Sequence, residues 1–371
     1  MGVLTETEIK LRLSASLTLE LSALPVFAQR LVGHWQQVEL TNQYFDTPDL
    51  ALDRAGFALR LRRDGDQVIQ TFKGRGDSLA GLSVRAEWDW YLQQELLEPE
   101  RLLEFDLPSG VDARVLEQLT PLFRTDFTRT KGSLQWRRDG EPVEIEVALD
   151  RGDARTPERI EPFRELELEL RQGPQEALLE FAMEVARELP VMPWDSAKAE
   201  RGYRLVEAGR RPLPPVLRER VTELPVDDAL TELCRYLLSL ALTDSELLAM
   251  GDSRALAQVE RTLDYLRVFS GLAIRLGEDF PPDSVDRIVR LQRALACLDL
   301  SVSQKSSAQA ALALLERGCD WGLLTLSLSQ WLLRWHQPGR AQKEQKKLQG
   351  VSLSAEEISL FESLRKECHG D

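Results

Sequence analysis

The chain has 371 residues, 43% of them hydrophobic and 29% charged, with 47 basic and 61 acidic side chains and a formal net charge of −14. That length fits two domains, the composition excludes disorder along the whole chain, and the acidity argues against nucleic-acid binding. No apolar run of about 18 residues is present to span a membrane, and no basic stretch followed by an apolar run opens the chain, so neither a membrane anchor nor a secretory leader is expected.

The four cysteines, Cys234, Cys297, Cys319 and Cys368, lack zinc-site spacing, which points to reduced thiols and a cytoplasmic protein. Histidine is limited to His34, His336 and His369. A Cys/His metal centre or a catalytic triad in the first half is therefore excluded. Any metal there must be held by carboxylates, which selects a hard ion such as Mg²⁺ or Mn²⁺.

In chain order, alternating runs at 5–13, 57–63, 67–74, 84–92, 128–138, 143–150 and 164–170 predict strands. Helical stretches are predicted near 17–32, 112–119 and 174–188, with His34 and Trp35 as structural residues at the end of the first. Asp64-Gly65 and Asp139-Gly140 predict two-residue hairpin loops. The first pairs Arg63 with Asp66, Arg62 with Gln67 and Arg60 with Ile69, and keeps Thr71 and Lys73 on the face of Arg60 and Arg62. The second sets Glu146 opposite Ser133 and Asp150 opposite Arg129, so that Arg129 rather than Arg124 shares the acidic face.

The basic, proline-rich piece at 209–220 reads as a linker, giving an N-terminal domain over 1–205, a linker over 206–223 and a helical domain over 224–371. Apolar residues at helical spacing predict a bundle of six or seven helices there. Asp227 and Ser354 are read as caps, Gly251, Gly277 and Gly318 as stops, and Trp321, Trp331 and Trp335 as core. Arg287, Arg290 and Arg293, and Lys343, Lys346 and Lys347, are expected on solvated helix surface.

Charged residues in the first domain sort by strand. Glu6, Glu8 and Lys10 project to one face of the opening strand, as do Glu165, Glu167 and Glu169 of the last long strand and Glu144, Glu146 and Asp150 of the one before it. Acidic neighbours at i, i+2 on three strands repel unless cations compensate. The basic residues Arg60, Arg62, Lys73, Arg85, Arg129 and Lys198 lie elsewhere in the sequence, Arg85 with Glu87 on its own strand. A closed barrel of about eight strands would turn both sets inward. Its acidic wall would suit divalent metal and its basic wall a phosphate chain, held by side chains because no Walker-type loop is present.

These residues resemble the CYTH superfamily of triphosphate tunnel metalloenzymes. The likeness rests on Glu6-Thr7-Glu8-Ile9-Lys10, Tyr44-Phe45-Asp46-Thr47, Leu59-Arg60-Leu61-Arg62, Thr71-Phe72-Lys73-Gly74 and Arg85-x-Glu87. It continues in Glu146-x-x-x-Asp150, Glu165-x-Glu167-x-Glu169, Ser196-x-Lys198 and Arg201-Gly202-Tyr203, covering about residues 1–205.

The resemblance implies an α+β chain: an eight-stranded antiparallel tunnel followed by an all-α bundle, the layout of bacterial inorganic triphosphatases with a CHAD-type helical domain. It implies hydrolysis of inorganic triphosphate with Mg²⁺ or Mn²⁺. Glu6, Glu8, Glu165, Glu167 and Glu169 would be metal ligands. Lys10, Arg60, Arg62, Lys73, Arg85, Arg129 and Lys198 would contact substrate, and Glu146 and Asp150 would share in catalysis with Glu6, Glu8 and Lys10. Thiamine triphosphatase and class IV adenylate cyclase are the enzymatic alternatives, and a polyphosphate-binding module is the non-catalytic one. The bundle departs from the CHAD pattern. Residues 216–371 hold 19 basic and 23 acidic residues, which makes polyphosphate a poor partner for this half.

Overall fold

A computed structural model describes residues 4–74, 76–104, 111–213, 215–217, 221–252, 254–276, 280–298, 304–335, 348 and 351–369. Gly277, His336, Lys343, Lys346 and Lys347 and the side chains of Trp335 and Cys368 lie outside the described residues. The chain divides into two compact units, residues 1–178 with 195–211, and 179–194 with 212–371.

The first unit is built on β1 (Leu4–Leu13), β2 (Leu31–Asp46), β3 (Phe57–Asp64), β4 (Gln67–Gly74), β5 (Asp77–Leu79), β6 (Leu82–Leu92), β7 (Thr120–Arg138), β8 (Glu141–Arg155) and β9 (Ile160–Gln172). Eight strands pair antiparallel in the order β1-β9-β8-β7-β2-β3-β4-β6, and β6 returns to β1, closing a barrel; β5 pairs on the edge of β6. Closure removes every free edge of the eight strands and separates an inner from an outer set of alternate side chains. On the outside of β3, β4 and β6, Leu59, Leu61, Val68, Phe72, Trp90 and Leu92 form an apolar core.

Between β1 and β2, only a 3₁₀ turn (Leu21–Ala23) and the one-turn helix α1 (Pro25–Ala28) form, so the helix expected over 17–32 is replaced by a 16-residue strand that starts at Leu31. The sequence hides this strand for a physical reason. Its first half is largely exposed, and the buried alternate residues of its second half are Leu40, Asn42, Tyr44 and Asp46. A polar interior erases the apolar alternation that marks a half-buried strand. His34 is accordingly an exposed strand residue, while Trp35 meets Phe27 edge-on at 6.1 Å.

The β7–β8 hairpin has the expected register: Asp139 and Gly140 take positive φ (51° and 87°), Arg129 faces Asp150 and Ser133 faces Glu146. The β3–β4 hairpin is shifted. Asp64 pairs with Gln67, so Gly65 and Asp66 form the loop, and Arg60 faces Thr71 rather than Ile69. Gly65 supplies the positive φ (57°) at the first loop position, as a type II′ turn requires, instead of the second. Moving the loop by one residue changes each partner by two, so Arg60, Arg62, Thr71 and Lys73 still share a face.

Short helices α2 (Ala51–Arg54) and α3 (Ala113–Glu117) bridge strands, α4 (Gln175–Glu188) crosses the boundary between the units, and α5 (Lys198–Val206) packs on β7, β8 and β9. Asp46 organises this region. Its carboxylate accepts hydrogen bonds from the backbone N–H groups of Thr47, Leu52 and Asp53 and from the Tyr203 hydroxyl at 2.7, 2.8, 3.0 and 3.0 Å. Phe123 stacks on Tyr44 at 4.7 Å and meets Tyr203 edge-on at 5.1 Å.

The second unit holds strand β10 (Val191–Pro193) and helices α6 (Val226–Ala249), α7 (Ala255–Arg275), α8 (Ser284–Ala296), α9 (Gln304–Leu315), α10 (Asp320–Trp335) and α11 (Ala355–His369). Gly251 ends α6 with φ 73°. Ser354 and Glu357 exchange side-chain bonds to each other's backbone N–H, a capping box that starts α11. Trp321 and Trp331 are buried.

Gly202 lies against the Phe123 ring, so a Cβ there would fall 1.9 Å from Cε2 of that ring. Tyr44 and Tyr203 hold the ring from both sides. Gly202→Ala is expected to destabilise the protein by about 1–3 kcal/mol, the usual cost of overpacking, read as a lower urea midpoint with an unchanged slope.

Candidate functional site: a charged tunnel

The register rows show how the strands bring the charges together. Glu8 pairs with Glu169, which pairs with Glu146, a carboxylate row across β1, β9 and β8. One step along, Lys10 faces Glu167; one step further, Arg12 faces Glu165, which faces Asp150, which faces Arg129. On the other side, Glu6 faces Arg85. Neighbours two residues apart on one strand stack these rows along one inner face.

Ion pairs link them. Glu8 meets Arg85 at 3.0 Å and Lys10 at 3.5 Å; Lys10 also lies 3.9 Å from Glu167. Lys73 pairs with Glu6 and, at 3.5 Å, with Glu87, which also lies 3.7 Å from Arg60. Arg129 forks onto Asp150 at 2.7 and 2.8 Å and reaches Glu167 at 2.5 Å. Lys198, at the first turn of α5, contacts Asp150 at 2.7 Å, Glu167 at 2.8 Å and Glu165, which Arg201 also approaches at 3.4 Å. Every sequence-predicted site residue thus belongs to the tunnel wall, Glu146 and Glu169 through Arg171 at 3.2 and 2.5 Å and Arg62 through Asn42 at 2.8 Å.

Compensation is uneven. Asp150, Glu165 and Glu167 have carboxylate oxygens within 4.8 Å of one another, a grouping that offers a metal three ligands. Lys198 already sits on all three, and Asp150 and Glu165 are wholly buried. Burial opposes charge on both partners, yet Lys198 is raised above its usual pKa by the three carboxylates, and Glu167 is driven well down by Lys198, Arg129 and Lys10. That end is a closed electrostatic unit.

The Glu8–Glu169–Glu146 row and Glu6 are different. Burial first, then repulsion from Glu6, Glu146 and Glu8, pushes Glu169 up to about 8 against the pull of Arg171. Burial likewise raises Glu6, with Glu8 and Glu87 adding to it and Lys73 opposing. Glu8 takes the opposite course: Lys10, Arg85 and Lys73 outweigh its burial and hold it at about 2. Glu6, Glu8, Glu146 and Glu169 together form a hard-oxygen donor set, raised at Glu6 and Glu169 where neighbouring carboxylates crowd, and the donor type fits Mg²⁺ or Mn²⁺.

A complementary deficit lies on the basic wall. Among the described residues no carboxylate pairs with Arg62; burial, Arg60 and Arg129 lower it to about 10. Tyr44 stands opposite Arg60 in the register and hydrogen-bonds to it, and Arg60, Arg62 and Lys198 pull the phenol down despite its burial. Sequence reasoning did not assign Tyr44, Asn42 or Arg171 to the site. Arg171 continues the alternation of Glu167 and Glu169 and was legible by phase; Asn42 and Tyr44 lie on the strand whose pattern is hidden.

A closed antiparallel barrel with acidic and basic walls inside defines the class of protein. Residues 4–203 match the CYTH domain family, and the chain belongs to that family. It is similar to the inorganic triphosphatase of Haemophilus influenzae, with 31% identity over 211 residues, a stretch that covers 55% of this chain and 55% of that protein. The chain thus spans about half the length of this relative. Similar solved structures include HpAC1 from Hippeastrum, an adenylyl cyclase by name with a dominant triphosphatase activity (16% identity, 55% of this chain and 98% of that chain, TM-score 0.39), and the PH1819 protein of Pyrococcus horikoshii (18% identity, 53% and 96%, TM-score 0.34). No helix among the described residues is long and apolar enough to cross a membrane.

Two predictions follow from the uneven charge balance. Because Glu169 holds its proton to about pH 8 in the folded protein against 4.5 as the ordinary value, the wild type loses stability as pH rises between these limits. Glu169→Gln has no such loss. Thermal melts without metal are expected to coincide below about pH 4.5, diverge in favour of the variant up to about pH 8 and run parallel above it. Lys198→Met strands three carboxylates and is expected to cost about 3–5 kcal/mol at neutral pH, with part of the loss recovered in acid as the carboxylates take up protons, measured by urea denaturation at several pH values.

Proposed function

We propose that this protein is a cytoplasmic hydrolase that splits inorganic triphosphate into pyrophosphate and phosphate inside the tunnel, with Mg²⁺ or Mn²⁺. The observation that carries this reading is a pair of opposite charge imbalances facing one enclosed space: burial and neighbouring carboxylates raise Glu169 and Glu6 in spite of Arg171 and Lys73, while Arg62, with no carboxylate partner among the described residues, is lowered. A metal complex of a short phosphate chain relieves both at once. The similarity to an inorganic triphosphatase supports the same substrate class. We assign residues 224–371 as a helical domain, CHAD-like in layout, a reading that helices α6–α11 support.

In this reading Glu6, Glu8, Glu146 and Glu169 hold the metal. Glu165 and Glu167, first assigned as ligands, instead join Asp150 in fixing Lys198 and Arg129. A divalent ion held there would supply Lewis-acid polarisation of the phosphoryl oxygens and activation of the attacking water. Lys10, Lys73 and Arg85 flank the acidic set and neutralise the phosphate nearest it. Arg60 and Arg62 bind the far end of the chain through their guanidinium groups, and Arg129, whose Nε and Nη2 are taken by Asp150 and Glu167, adds positive charge beside them. The Tyr44 hydroxyl, bonded to Arg60, orients that guanidinium. These cations are pre-placed by ion pairs and a tight barrel, so they stabilise charge that shifts to the leaving pyrophosphate with little reorganisation.

The test is a phosphate-release panel with triphosphate, pyrophosphate, long-chain polyphosphate, ATP and thiamine triphosphate, each with Mg²⁺ or with chelator. Triphosphate is expected to be the preferred substrate and turnover to vanish with chelator. Glu6→Gln/Glu8→Gln is expected to lower turnover by at least about a hundredfold. Preference for ATP with cyclic AMP formed, preference for thiamine triphosphate, or unchanged turnover in chelator would each overturn the reading.

A further inference from the structure

At one end of β1, β8 and β9 lies a cavity of about 520 Å³, lined by Arg12 and Phe163 from inward-facing positions, by Arg151 and Arg164 from the opposite face, and by Ser16 and Thr18 of the 14–19 loop. Its defining feature is a like-charge pair. Arg151 and Arg164 face each other directly in the β8–β9 register. By strand alternation they stand on the face opposite to Asp150 and Glu165, so the tunnel carboxylates are on the other side of the sheet. Two like charges in directly opposed positions are destabilising unless something compensates them.

Among the described residues neither Arg151 nor Arg164 pairs with a carboxylate. Their partners are neutral carbonyls of the 14–19 loop: Arg151 Nη2 donates to Leu19 O at 2.9 Å, and Arg164 Nη1 donates to Ser14 O at 3.3 Å and to Leu17 O. These bonds fix the loop and aim the two guanidinium groups, but they leave both charges in place. Arg164 Nε is buried with no acceptor. Burial, with Arg151 adding to it, lowers the Arg164 pKa, as expected for a cation lacking its counter-ion.

We propose that this cavity is a second anion site, separate from the tunnel, that takes a small phosphate-class oxyanion. Guanidinium forks match the paired oxygens of such an ion, and Ser16 and Thr18 on the exposed loop supply hydroxyls at the rim. The volume exceeds that of one tetrahedral group, so pyrophosphate fills it better than orthophosphate. Phe163 forms part of the cavity lining, and its ring also lies 5.4 Å from Lys198 Nζ, so this aromatic connects the cavity with the tunnel interior. The site rests on its own arginines and does not depend on the reaction assigned to the tunnel.

The test is calorimetric titration of the full chain with pyrophosphate and with orthophosphate in chelator, in an Arg60→Ala/Arg62→Ala background that weakens the tunnel as a competing site. Pyrophosphate is expected to bind more tightly than orthophosphate. Arg151→Gln and Thr18→Glu are each expected to weaken binding about tenfold or more. Thr18 is exposed and bonds to no partner required by the fold, so Thr18→Glu adds a competing carboxylate without cutting the loop's ties; a thermal melt verifies that both variants are folded. Binding that neither variant changes, tighter binding of succinate than of pyrophosphate, or no binding at about 1 mM pyrophosphate would overturn the proposal. The absence of triphosphate turnover would overturn the tunnel reading and leave this titration unaffected.

Discussion

A buried ammonium held by three buried carboxylates is the contact on which the tunnel depends. Burial penalises the charge on Lys198 and on Glu167 alike, and attraction between the opposite charges packed there, with Arg129 and Lys10 adding to the hold on Glu167, outweighs it for both. The cluster also joins separate pieces of chain. Lys198 comes from α5, Asp150 from β8, and Glu165 and Glu167 from β9, so the helix cannot leave the barrel without exposing charges to apolar surroundings. Gly202 and Tyr203 seat the same helix on Phe123 and Asp46. Packing and electrostatics therefore set one and the same position.

This saturated end gives the rest of the tunnel its meaning. Where cations and carboxylates match, a ligand ion must displace a resident charge and gains little. Where they do not match, the protein is under electrostatic strain that a ligand relieves. Glu169, with a pKa of about 8, marks a surplus of negative charge, and Arg62, lowered to about 10, a surplus of positive charge. A metal alone would relieve the first and a phosphate chain alone the second. Their complex carries both charges in one body, which is why the proposed function assigns the enclosed space to the pair.

The legibility of this arrangement followed the chemistry of each face. Strands with one apolar face, such as β1 with Ile9, Leu11 and Leu13 behind Glu8 and Lys10, show their period in the sequence. The strand β2 hides its period because its inward residues are Asn42, Tyr44 and Asp46, and with it went the partners of Arg60 and Arg62. Register parity survived the misplaced β3–β4 loop because moving a two-residue loop by one position changes partners by two and never flips a face. The phase of Glu146, Asp150, Glu165, Glu167 and Glu169 was readable, but not which of them meet a lysine. Lys198 arrives on a helix whose position is tertiary, so alternation along the strands holds no trace of it.

The second unit obeys the same charge rule and supplies its control case. Arg287 and Arg290 converge on Asp320 at 2.7–3.0 Å, and Arg275 meets Glu357 at 2.8 Å. Arginines expected on solvated helix surface are thus matched by carboxylates on neighbouring helices, in accord with the net acidity of residues 216–371. Counting basic residues therefore says little about anion binding in this chain; what matters is whether a guanidinium has a carboxylate within reach. Arg287 and Arg290 have one, whereas among the described residues Arg62 in the tunnel, the half-buried Arg164 and its exposed neighbour Arg151 do not, and an anion gains most at such unmatched positions, above all where the guanidinium is already withdrawn from water.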